Sequence, residues 1–122
     1  MKMIRSAEEL TRVLASNLDP PLRDILEGHR DRLAEYADYS LEELASFCIV
    51  EPGDQPQALQ DVSGVNILKD PPDWEYIDRH GGWYELAFVL SDHGFGWIVL
   101  IPDLPSVDGR LLGLCRRHFA GT

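Results

Sequence analysis

The most regular hydrophobic pattern in the chain is Leu22, Ile25, Leu26, His29, Leu33 and Tyr36. Steps of 3, 1, 3, 4 and 3 put these six side chains on one face of a helix over about 21–37. Asp19-Pro20-Pro21 stands before it. A first-turn proline loses no helical hydrogen bond, so the chain breaks here and restarts as a helix. Upstream, Ser6 followed three positions later by Glu9 is a capping box, which satisfies backbone N–H groups left open at a helix start. It opens a first helix that buries Leu10, Val13 and Leu14 and runs to about Asn17. Ser40 with Glu43 repeats the signal and predicts a shorter helix to about Ser46, leading into an extended stretch over 47–51. Pro52-Gly53-Asp54 is a turn, and Asp54 is expected to cap a short helix with Pro56 in its first turn and Gly64 just past its end.

Strand patterns take over in the second half. The clearest strands form a hairpin over about 83–91 and 96–102, joined by Asp92-His93-Gly94-Phe95 and closed by Pro102. A two-residue His93-Gly94 turn pairs Leu90 with Trp97 and Phe88 with Val99. One face then carries Tyr84, Leu86, Phe88, Leu90, Trp97, Val99 and Ile101; the other carries Trp83, Ala87, Val89, Ile98 and Leu100. Both faces are apolar enough to need cover. A short strand is expected over 65–68, Trp74 to Ile77 reads as one helical turn at most, and His80-Gly81-Gly82 as a backbone hinge. Ser106 or Asp108 caps a last helix carrying Leu111, Leu112, Leu114, Cys115 and Phe119. With no repeat or linker, 1–122 is expected to be a single α+β domain. It has N-terminal helices, a small antiparallel sheet built round the hairpin, and a C-terminal helix packed on the sheet.

Composition narrows the function. A hydrophobic share of 44% suits a packed core and excludes a disordered chain. The longest apolar runs, 86–90 and 97–101, have five residues each; a membrane helix needs about 20. The opening residues carry charge without the apolar stretch of a signal peptide, so a cytoplasmic location is expected. Twenty-one acids against eleven bases give a net charge of −10. Such a field repels nucleic acid and anionic lipid and attracts basic partners. Arg116-Arg117-His118 reads as the basic complement of a helix end. Cys48 and Cys115, 67 positions apart, fit no redox or zinc spacing and read as small core residues.

Candidate chemistry is sparse. Ser91-Asp92-His93 has the letters of a hydrolase triad, but neighbours on a strand point to opposite faces and do not converge. Gly94-Phe95-Gly96 leads into a strand, whereas a phosphate loop needs a helix N-terminus behind it. His80 and His93 flank one strand at opposite ends, too far apart to share a metal. No catalytic residue, metal or cofactor is expected. The open end of the hairpin brings Asp78, His80 and Glu85 near Asp103, an alternative site for small-molecule binding or hydrolase-like acid–base chemistry. His118 is expected near Asp92 and His93, at the other end. His29, inside the apolar stripe, reads as a core histidine.

One surface is patterned. Asp24, Glu27, Asp31, Glu35 and Asp38 are spaced 3, 4, 4 and 3. On a helical wheel they fall within about 80°, opposite the apolar stripe and flanked by Arg23, Arg30 and Arg32. Like charges four apart cost a few tenths of a kcal/mol each, so the ridge is the leading candidate for docking a basic protein surface. The leading expectation is therefore non-enzymatic protein–protein interaction of accessory, regulatory or inhibitor type. The hairpin faces also leave room for a homodimer.

Overall fold

Ser6 starts the first helix as its spacing predicts: its Oγ accepts the Glu9 backbone N–H at 3.1 Å, and its hydroxyl donates to Glu9 Oε1 at 3.3 Å. A computed structural model describes residues 1–35, 46–63, 74–88 and 97–120 of the chain. In order they form β1 (Lys2–Ile4), α1 (Ala7–Leu14), α2 (Pro20–Leu33), β2 (Ser46–Ile49), α3 (Pro56–Ser63), β3 (Trp74–His80), β4 (Trp83–Phe88), β5 (Trp97–Pro102) and α4 (Gly109–Ala120). The α+β class, the N-terminal helices and the C-terminal helix on the sheet agree with the sequence reading.

The sheet is larger than expected and mixed. Its order is β1-β2-β5-β4-β3, antiparallel throughout except where β2 runs parallel to β5. The four residues of β2 are all buried, so their backbone groups need strand partners on both edges. β1 supplies one edge and β5 the other. At three residues β1 is too short for its alternation to stand out from the sequence.

Trp74 to Ile77 belong to strand β3, not to a helical turn. Gly81 and Gly82, with φ of +54° and +87°, form a two-residue turn that folds β3 back on β4, pairing His80 with Trp83 and Asp78 with Glu85. Positive φ at both turn positions suits the right-handed twist of paired strands, and glycine adopts it without penalty. The expected hinge is thus a hairpin turn. Between β4 and β5 the register differs from expectation by two residues: Phe88 pairs with Trp97, Leu86 with Val99 and Tyr84 with Ile101. A shift of two keeps parity, so each strand's faces are as read from the sequence. The expected tight turn at His93-Gly94, the strand over 65–68 and the helix after Ser40 fall outside the described residues, although Ser46 opens β2 and does not end a helix.

Both sheet faces are covered. On one, Leu10, Leu14, Leu22, Ile25 and Leu26 from α1 and α2 pack on Phe47, Ile49, Trp83, Ala87, Ile98 and Leu100. On the other, Leu59 from α3 and Leu111, Leu112 and Cys115 from α4 pack on Cys48, Tyr84, Leu86, Trp97, Val99 and Ile101. Burying each such large aliphatic side chain contributes about 1.5–3 kcal/mol.

Helix boundaries shift for local reasons. α1 stops at Leu14, before Asn17, because the Arg23 guanidinium takes the carbonyls of Leu14 and Ser16 (the latter at 2.7 Å). α2 stops at Leu33, before residue 37, as the Glu35 N–H reaches back three residues to the Arg32 carbonyl at 3.3 Å. Asp54 does not cap α3. Its carboxylate accepts the Glu51 N–H at 2.8 Å and pairs with the Met1 amino group at 2.8 Å. Asp108, not Ser106, caps α4, accepting the Arg110 N–H at 2.9 Å.

Candidate functional site

The start of α2 sits on the β3–β4 turn. Asp19, at the N-cap, accepts the Trp83 indole N–H at 2.8 Å, and Pro21 lies so close to Gly81 that a Cβ there would come within 2.5 Å of its ring. From this anchor α2 runs along the hairpin. One turn on, Asp24 Oδ2 meets His80 Nε2 at 3.4 Å, a hydrogen bond with both side chains more than half exposed. Further along, His29 Nε2 and Glu85 Oε1 share a hydrogen bond, with side chains only 5% and 11% exposed. The His29 ring packs edge-on against Phe47, its centroid 5.5 Å away.

Between helix and hairpin lies a cleft of about 240 Å³, lined by Asp24, Ile25, Gly28, His29, Arg32, Asp78, Arg79, His80 and Glu85. Three of the four residues expected at the open end of the hairpin, Asp78, His80 and Glu85, therefore do converge. The fourth does not. Asp103 lies on the other side of the sheet, accepting the Tyr84 hydroxyl at 3.0 Å and bonded by the Arg116 guanidinium. That bond from Arg116, reinforced by the Tyr84 hydroxyl, holds the Asp103 carboxyl below the usual carboxylate range. Burial, followed by the bond to Asp103, pushes the Tyr84 phenol up. Arg79 lends the cleft its backbone but not its charge. Its guanidinium lies over the Tyr84 ring at 5.6 Å and reaches Asp103 at 3.9 Å.

The acidic ridge is shorter than its sequence spacing suggests. Asp24, Glu27 and Asp31 are on α2, but Asp24 turns to His80 at the cleft and Asp31 pairs with Arg30 at 3.2 Å. Glu35 is exposed but follows the C-cap Ala34, and Asp38 lies outside the described residues. Of the flanking arginines, Arg23 is spent on the end of α1. His118 makes an edge contact with Phe119 at 5.1 Å, while its expected neighbours Asp92 and His93 are outside the described residues.

Sequence reasoning missed Gly28, His29 and Arg32 as cleft residues. Their shared signal was an imidazole within an apolar stripe and a glycine in a helix interior, both on the strongest predicted helix. Among the described residues, no three or more His, Cys, Asp and Glu side chains are grouped to hold a metal ion. No described helix is long and apolar enough to cross a membrane. Compared with protein-family models, curated proteins and solved structures, the chain matches none.

Proposed function

We propose that this chain is a non-enzymatic recognition protein whose ligand enters the cleft between α2 and the β3–β4 hairpin. What carries the reading is that two features costly to stability, neither demanded by the fold, meet in that cleft. Gly28 lies inside a helix with no positive φ, and a Cβ there would have nothing within 4 Å. An alanine would suit the helix better by about 1 kcal/mol. Beside it, His29 and Glu85 are buried next to an apolar core where a well-packed apolar pair would serve as well. Departures from local rules concentrate at functional sites. The missing side chain at Gly28 leaves room over the cleft, and the lining offers carboxylates, imidazoles and a guanidinium to hold a polar ligand. Two buried cysteines without a disulfide suit a cytoplasmic setting.

The test is to titrate isotope-labelled protein with representative small amines, guanidines, carboxylates and neutral amides. One class should shift the amide signals of position 28, His29 and Glu85 in wild type, more weakly in Gly28→Ala, and not in Gly28→Met, whose side chain projects into the cleft. No response from wild type to any class overturns the reading.

A second reading, docking of a basic protein on the outer face of α2, is favoured by the net charge of −10 and by the outward carboxylates of Asp31 and Glu35. Reversing Glu27 and Asp31 to lysine should abolish capture of that partner with almost no change in Tm. Retained capture removes the idea.

A further inference from the structure

We infer that the cleft takes an organic cation, a guanidinium or ammonium group of the kind borne by arginine and lysine. The inference rests on the cleft reading above and adds the ligand's chemistry. Three carboxylates line the cleft, Asp24, Asp78 and Glu85, against the single guanidinium of Arg32, because Arg79 directs its own to Asp103 on the other face. The two imidazoles are already engaged with carboxylates, His29 with Glu85 and His80 with Asp24. Asp78 is exposed, and among the described residues it meets no cation; its Oδ1 accepts the Arg79 backbone N–H at 2.7 Å. Arg32 lies in the last turn of α2, which ends at Leu33, and Gly28 one turn earlier on the same side of the helix. A flat guanidinium slides over the bare backbone of Gly28 and presents its N–H fork to Asp78, a geometry matched to carboxylates.

Such a cation comes either from a free metabolite or from a partner's side chain, and Arg32 separates the two. At the cleft edge it holds the α-carboxylate of a free amino acid, which a residue inside a chain lacks. The probes are N-acetyl-L-arginine amide, its neutral isostere N-acetyl-L-citrulline amide, and free L-arginine, titrated by NMR into the full chain. The blocked arginine should bind with a Kd on the order of 1 mM, the citrulline compound at least about tenfold more weakly. Asp78→Asn should weaken binding about fivefold, and added salt should weaken it further. Gly28→Ala, which puts a methyl where the ligand would lie, should weaken binding about threefold, and Gly28→Met should abolish it, with Tm in neither variant lower than in wild type. Undiminished binding by Gly28→Met overturns the placement. Free arginine tighter than the blocked form, with the advantage lost in Arg32→Gln, identifies a metabolite; equal binding identifies a partner's side chain. Citrulline binding as well as arginine overturns the cation assignment and leaves the cleft standing. No response to any of the three also overturns it, and the cleft itself is then judged by the wider set of compounds above.

Discussion

His29 on α2 and Glu85 on β4 stand 56 positions apart in the chain and meet side chain to side chain, both nearly excluded from water. This contact ties the second helix to the hairpin and gives the cleft its floor. Polar groups buried this far must find partners, because each lost hydrogen bond leaves an uncompensated desolvation cost.

Removing one partner should therefore hurt more than removing both. His29→Leu and Glu85→Leu should each lower the unfolding free energy by about 2–4 kcal/mol, while the double replacement recovers a large part of the loss. Urea unfolding of the four proteins measures the coupling. Strictly additive losses would show that the pair does not act as a unit.

Two glycines, Gly28 inside α2 and Gly81 in the β3–β4 turn, should respond in opposite directions. Gly28→Ala meets open space in an ordinary helical conformation and should stabilise by about 0.5–1 kcal/mol. Gly81 has φ +54°, and a Cβ there would come within 2.5 Å of the Pro21 ring. Gly81→Ala should cost about 1–3 kcal/mol, through backbone strain and a forced shift of the α2 start. Thermal unfolding of both variants checks the contrast; destabilisation by Gly28→Ala would mean that the fold itself requires that glycine.

How much of this was legible follows from which interactions are local. The Ser6 cap, the proline start of α2 and the two faces of β4 and β5 depend on residues within a turn or two of each other, and periodicity exposes them. The direction of β2 against β5 depends on pairing across the chain, for which a four-residue buried run carries no mark. β3 was readable in principle, since paired glycines after an aromatic-rich stretch are a hairpin signal. For the candidate site, the open end of the hairpin put Asp78, His80 and Glu85 together and Asp103 with them, but nothing in the sequence said which face of the sheet a loop residue such as Asp103 takes. His29 was visible as a polar residue in an apolar stripe; its partner on β4 was not.

Both cysteines should be chemically silent in the folded protein. Cys48 and Cys115 are fully buried among apolar neighbours, and burial pushes each thiol up to about 12. The reactive thiolate is then scarce at mildly alkaline pH, and reagents have no access. A coloured thiol reagent near pH 8 should label neither residue in native buffer and both in denaturant, within the time a free thiol needs. Rapid labelling of the native protein would mean that the core around α4 and β2 opens readily.

Asp103 makes stability depend on acid. The hydrogen bond from Arg116, with the Tyr84 hydroxyl, favours its charged form, so the folded carboxyl titrates below the unfolded one. A group depressed in this way contributes its full share above the unfolded carboxylate value, about 3.9, and loses it as pH falls through the folded value. Arg116 is more than half exposed, so solvent screening keeps the contribution small. Asp103→Asn should accordingly be less stable than wild type by about 0.5–1 kcal/mol near neutral pH. The difference should shrink below about pH 4 and vanish once wild-type Asp103 is protonated in both states. Tyr84→Phe removes the phenol that donates to the same carboxylate and should reproduce part of the neutral-pH loss. Urea melts of the three proteins near pH 7, 5 and 3 provide the comparison. A gap as wide at the lowest pH as at neutrality would mean that Asp103 contributes through packing and not through its charge.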